Sequence, residues 1–142
     1  MITFNNENVK MPAVERKLVR AWLKLVADGY GREVGNLNYI FCDDDRILEI
    51  NKEFIGHDYY TDIITFDYSD PKVVHGDMYI SLDTVFTNSK KFNTSYKDEL
   101  MRVIVHGLLH LCGIDDKGPG ERAIMESAEN DALFKLKNMI KE

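Results

Sequence analysis

Apolar and polar residues alternate in two distinct rhythms along the chain, and the rhythm changes mark the elements. Ile2 and Phe4 alternate with polar neighbours, which predicts a short first strand. Pro12 suits the first turn of a helix, and Val14, Leu18, Trp22 and Leu25 recur at helical spacing up to about Ala27, where Gly29 and Gly31 end it. From Leu37 to Cys42 the rhythm returns to two, which predicts a second strand. Asp43, Asp44 and Asp45 then offer a helix cap and an acidic first turn, and Ile47, Ile50 and Phe54 follow at helical spacing as far as Gly56. Three adjacent carboxylates also invite a metal reading, but the apolar spacing behind them favours the cap.

After an irregular aromatic loop, His57 to Tyr60, the chain predicts strands at Thr61–Tyr68 and Gly76–Leu82, joined as a hairpin through the Asp70-Pro71 turn. Asp83 is placed to cap a short helix running through Lys90. Thr94 or Ser95 starts the next helix, with Ser95 and Asp98 in capping-box-like positions. Beyond Gly118-Pro119-Gly120, a last helix puts Met125, Ala128, Ala132, Leu136 and Ile140 on one face. Strands and helices in this mixed order predict an α+β fold: a single domain with a small mixed β-sheet covered by helices.

Length and charge narrow the picture. A chain of 142 residues without a break in composition is most simply one domain. The longest apolar stretch, Val103 to Ile114, is shorter than the ~20 residues a membrane helix needs, and two histidines interrupt it. The opening MITFNNENVK has no apolar segment behind basic residues, so no secretory leader and a cytoplasmic location are expected. Cys42 and Cys112 are predicted to be free thiols, because they lack CxxC spacing and sit in apolar surroundings. The formal charge of −6 argues against broad, non-specific nucleic-acid binding. Arg16, Lys17, Arg20 and Lys24 nevertheless form one basic helix face against a single acid, Glu15. Such a face is usually just solvated, and it is the clearest basic surface in the chain.

Residues 106–116, HGLLHLCGIDD, concentrate the chemistry. His106 and His110 are four apart, so on a helix both rings leave one face, roughly 5–6 Å apart at Cβ, and can share one metal ion. Gly113 suits a helix stop at positive φ, after which Asp115 or Asp116 can return as a third ligand. Gly107 costs a helix about 1 kcal/mol relative to alanine, so something approaches the backbone there, a substrate or a packed neighbour. Two histidines on an apolar helix are also often core residues; the glycine turn and the two carboxylates favour a site. Two imidazoles and one carboxylate leave coordination positions open, the arrangement of catalytic rather than structural zinc, and iron, manganese or nickel would also be accommodated. Zinc peptidases carry a glutamate base after the first histidine of such a helix; Gly107 stands there, so no peptidase is expected.

The same run resembles the signature of the YbeY family of bacterial endoribonucleases, H-G-x-L-H-L-x-G-Y/I-D-H, and fits it everywhere except at Asp116, where the family has a third histidine. Thr61 to Phe66 is similar to the family's TDVLSF, Gly76 to Ser81 to its GDIxIS, and Met125-Glu126-Ser127 with Glu129 to its closing helix. The likeness runs from about residue 34 to the C-terminus. One departure stands out: the family's arginine after an aromatic residue is Ile55 in this chain.

The resemblance implies an α+β fold and a metal-dependent endoribonuclease cutting single-stranded RNA. It further implies a part in ribosomal RNA maturation and ribosome quality control, with ribosomal particles as partners and no membrane. It makes Asp116, rather than Asp115, the third ligand beside His106 and His110; Glu121 is the reserve ligand, or simply part of the last helix's first turn. Acid–base candidates are Asp62, Asp77 and Asp115, each of which can instead fix a turn or orient a histidine. Arg16, Arg20 and Lys24 become the candidate RNA contacts, while His57 and His75 are expected in loops. The second reading is a ribosome-assembly factor with a mainly structural metal site and weak or no nuclease activity. Ile55 and Asp116 keep it open.

Overall fold

The computed structural model describes residues 1–55, 61–115 and 118–141. Four strands, β1 (Ile2–Asn6), β2 (Glu33–Cys42), β3 (Ile63–Asp67) and β4 (Val73–Ser81), form one mixed sheet in the order β1-β2-β4-β3. β1 runs parallel to β2 and β2 parallel to β4, so each of these pairs needs a helix-bearing crossover; β3 and β4 are the expected antiparallel hairpin. The helices are α1 (Arg16–Asp28), α2 (Asp44–Ile50), α3 (Leu82–Lys91), α4 (Tyr96–Leu111) and α5 (Glu121–Lys141), with a π-helical turn at Asn51–Ile55 after α2. The α+β class read from the sequence holds.

Period-two burial on the strands decides what covers each face. Val74, Gly76, Met78 and Ile80 of β4 are buried beside Leu37, Tyr39 and Phe41 of β2; α1 and α4 pack over this inner face, and α5 packs against both helices. Side-chain hydrogen bonds tie the layers: Tyr39 Oη donates to Ile104 O of α4 at 2.9 Å, and Trp22 Nε1 of α1 donates to Ala132 O of α5 at 2.8 Å. On the opposite face α2 covers only part of the sheet, its Ile47 and Ile50 packing with Cys42 and Ile64. Cys42 and Cys112 are both free, as expected.

Helix α4 is central because it is buried along most of its length. Ser95 caps it, accepting from Asp98 N at 3.1 Å, and Gly113 follows it at φ 97°. Gly107 is explained by packing: a Cβ there would lie 2.9 Å from Met78 Cγ and 3.0 Å from Ile63 Cδ1. The helix can therefore sit directly on β3 and β4.

Several expected details move. α1 starts at Arg16, so Pro12 precedes it, and its buried stripe is Val19, Trp22, Leu23, Val26 and Ala27, whereas Leu25 is 46 % exposed. Ser81, not Asp83, caps α3 by accepting from Thr84 N, and Asp83 instead accepts from Asp44 N at 3.0 Å, serving α2. Asp43 caps α2 as read, accepting from Arg46 N. Ile140 of the last helix faces solvent. The aromatic loop His57 to Tyr60 and the expected stop at Gly56 lie outside the described residues.

Candidate active site

Arg102, His106 and His110 stand four residues apart on α4 and all line one cleft of ≈ 740 Å³. The β3 segment contributes Asp62, Ile63 and Thr65 to its wall, the end of α3 contributes Asn88 and Phe92, and α5 contributes Arg122, Glu126 and Glu129. The predicted common face for the two histidines is therefore realised in the cleft.

Glu129 organises the centre of this site. Its Oε2 lies 2.7 Å from His106 Nδ1, and its Oε1 accepts from Arg102 Nη1 at 2.8 Å. Arg102 also donates from Nη2 to Asn130 Oδ1 at 2.7 Å, so its guanidinium is held by two residues of α5. Burial pushes the Glu129 carboxyl up, but the hydrogen bonds from His106 and Arg102 outweigh it and hold the group below its ordinary value. An anionic carboxylate on Nδ1 fixes the ring and leaves Nε2 as the nitrogen a metal ion would take.

Two other carboxyls behave oppositely. Burial raises Asp62, against a weaker opposing pull from His106. Glu99, one turn before Arg102, is also raised, by burial first and then by Asp62. Such groups hold a proton more tightly than ordinary carboxyls, because burial disfavours their charged form.

The remaining expected site residues are placed as follows. Asp77 lies on the outer face of the sheet, alternating with inward Gly76 and Met78, and accepts from Asn38 Nδ2 at 2.8 Å. Asn38 is bonded in turn by Thr3, so Asp77 ends a polar row across β1, β2 and β4 and is not brought into the cleft. Asp115 is exposed beyond Gly113 and does not line the cleft, and Asp116 lies outside the described residues. Glu121 occupies the first turn of α5, over Gly118. Arg16 and Lys24 are exposed on α1, whereas Arg20 is committed to packing: its Nε donates to Ile2 O at 2.9 Å and its guanidinium lies 5.5 Å from the Phe4 ring centre. None of the three lines the cleft. His75 is not in a loop: β4 begins at Val73, and His75 Nδ1 accepts from Asn36 N at 3.1 Å across the irregular pairing of β2 with β4, while His57 is outside the described residues.

The sequence reading missed Arg102, Glu99, Arg122 and the role of Glu129. Two signals pointed to them. Arg102 extends the four-residue row of the histidines backwards by one step. Glu129 is an acid set in the apolar stripe Met125, Ala132, Leu136 of α5, and a carboxylate in such a stripe needs a partner.

Among the described residues, no group of three His, Cys, Asp or Glu side chains converges as a metal site, and His106 and His110 are the described pair of donors. Imidazole nitrogens facing a polar cleft, with a carboxylate behind one ring, fit a divalent ion of the zinc type.

Fold and cleft together define a small α+β domain whose cleft runs along one face of a histidine-bearing helix, laid over a mixed sheet and braced by the last helix. The chain belongs to the Endoribonuclease YbeY family, whose sequence profile matches residues 1–137. It is 55 % identical over 132 residues to an Endoribonuclease YbeY of Parabacteroides distasonis, covering 93 % of each chain. Over 133 residues it is 58 % identical to that of Phocaeicola vulgatus, covering 94 % of this chain and 96 % of the relative. The solution structure of TM1509 from Thermotoga maritima superposes with a TM-score of 0.69 at 27 % identity, covering 99 % of this chain and 92 % of the other.

Proposed function

We propose that the chain is a metal-dependent endoribonuclease that hydrolyses single-stranded RNA, acting in the cytoplasm in ribosomal RNA maturation and ribosome quality control. The observation that carries this reading is the His106–His110 pair on one cleft wall with Glu129 fixed on His106 Nδ1 at 2.7 Å. Relatives named Endoribonuclease YbeY, up to 58 % identical, support the reaction class.

In this reading His106, His110 and Asp116 hold one divalent ion, with zinc the first choice. Such an ion supplies Lewis acidity to a phosphoryl oxygen and to a water. The chain's own residues do the rest. Glu129 keeps the His106 ring oriented and balances the charge of the loaded site, and Arg102 prevents that carboxylate from turning away. Asp62, held toward its protonated form by burial, takes or returns the proton of the attacking water or leaving oxygen. Asp77, on the outer face of the sheet, and Asp115, which does not line the cleft among the described residues, are assigned no step.

The test is cleavage of a labelled single-stranded oligoribonucleotide by pure protein, with the same sequence in a duplex as comparison. Cleavage of the single strand that chelator abolishes and that is absent from a His110→Ala preparation supports the reading. Equal activity in that variant would assign the cleavage to a contaminant.

The assembly-factor reading is favoured by two departures in the sequence: Ile55 stands where the resemblance calls for an arginine, and Asp116 where it calls for a histidine. Ribosomal-particle binding without strand cleavage in the same assay would select it.

A further inference from the structure

The end of α3 meets the cleft with chemistry that the histidine pair does not use. The chain there reads Asn88-Ser89-Lys90-Lys91-Phe92-Asn93. The helix stops because Phe92 takes a non-helical conformation and Asn93 follows at φ 54°, a left-handed value that asparagine tolerates. That stop leaves Phe92 57 % exposed while it lines the cleft. Asn88, one turn back, lines the same end. The Lys91 ammonium lies 5.6 Å from the Phe92 ring centre, and Lys90 sits 5.3 Å from the neighbouring Phe86 ring. Neither lysine pairs with a carboxylate among the described residues.

The rest of the cleft is poorly suited to hold a polyanion. Asp62, Glu99, Glu126 and Glu129 line it, and of its two arginines Arg102 is already committed to Glu129 and Asn130. A strand must gain its hold elsewhere, and the α3 end offers the means. An aromatic face stacks any base, an amide bonds a base edge, and ammonium groups offset the adjoining phosphate. The Lys91 ammonium stands over the ring, beside the place a stacked base's phosphate would take.

We propose that Phe92, with Asn88 and Lys91, forms a stacking subsite for one base of a single-stranded RNA whose neighbouring phosphate lies at His106 and His110. This rests on the nuclease function proposed above and adds a substrate contact to it. It also supplies a reason for strand preference, because a paired base must leave its duplex before a side chain can stack on it.

The experiment is fluorescence anisotropy with the full chain and a short 2′-O-methyl oligonucleotide, checked on a gel to be intact after the measurement, and repeated with each base in turn replaced by an abasic site. Phe92→Ala should weaken binding of the intact strand by about tenfold, and Phe92→Leu, apolar but without a ring, should do the same. Phe92→Trp should retain affinity. One abasic position should weaken the unmodified protein to the level of Phe92→Ala and leave that variant unchanged. Unaltered binding by Phe92→Ala, full affinity in Phe92→Leu, or a loss that adds to every abasic site would overturn the subsite. If the unmodified protein binds no single-stranded RNA at all, the nuclease function itself fails, and the subsite with it.

Discussion

Glu129 carries two hydrogen bonds that reach different residues of α4, and the consequences of removing its charge are separable from those of removing its shape. Glu129→Gln keeps the size of the side chain but replaces one acceptor by a donor, so either the Arg102 contact is lost or His106 must accept at Nδ1 and keep its proton on Nε2, the nitrogen a metal would need. Carboxylates behind metal-bound histidines typically contribute 10–100-fold in metal affinity. Isothermal titration with zinc should therefore give weaker binding in Glu129→Gln by that order, and unchanged binding would remove Glu129 from the metal's support. Glu99 makes a contrasting case. Burial raises its carboxyl above the ordinary value of about 4.5, so the folded state binds the proton more tightly than the unfolded chain. Stability contributed by the protonated group is then present below about 4.5 and is lost as pH rises through the raised value. Glu99→Gln should consequently be more stable than the unmodified protein at pH 7, with the advantage vanishing near pH 4. Urea midpoints at the two values check this, and a variant less stable at pH 7 would show that the ionised group is well paired.

At the level of the elements, α4 depends on how closely it lies on the hairpin. Gly107 permits that approach, with Met78 and Ile63 occupying the space a Cβ would need. Gly107→Val should force the helix off β3 and β4 and cost roughly 2 kcal/mol, within the range for overpacked cores. The fall in urea midpoint should come with weaker metal binding, since both histidines ride on the same helix. A variant as stable as the parent would mean the helix seat is soft. This was legible in the sequence, because a glycine inside an apolar helix has a cost that only close packing or a ligand offsets. The caps of α2 and α4 were legible for the same local reason. The start of α3 was not: Ser81 and Asp83 both have capping chemistry, and only the position of Asp44 decides that Asp83 serves α2 instead.

Across the whole molecule, the acidic balance makes the few exposed basic surfaces informative. Arg16 and Lys24 lie on α1 and do not line the cleft, so they contact RNA only if the strand extends beyond it. Arg20 is bound into β1 and should be left intact in any test. A protein carrying Arg16→Ala and Lys24→Ala should lose about one unit of salt-dependence slope per contact on an RNA longer than the cleft. An unchanged slope would restrict binding to the cleft. Helical spacing revealed the His106–His110 face because it is set within one element. It did not reveal the Glu129 contact or the exclusion of Asp77, which depend on how α5 crosses α4 and on which sheet face α4 covers. Such relations between elements leave only faint traces in a linear pattern, here the one acid in the stripe of α5.

The measurement closest to the central claim is the cleavage rate of a single-stranded oligoribonucleotide by chelator-stripped protein as zinc is added back, run beside Asp116→Ala and Asp116→His. The rate should rise from background and saturate near one ion per chain. Asp116→Ala should need far more zinc, and Asp116→His should recover the response, since an imidazole restores a ligand at that place. Cleavage that is as fast in the stripped protein as in the loaded one would contradict a metal-dependent nuclease at His106 and His110.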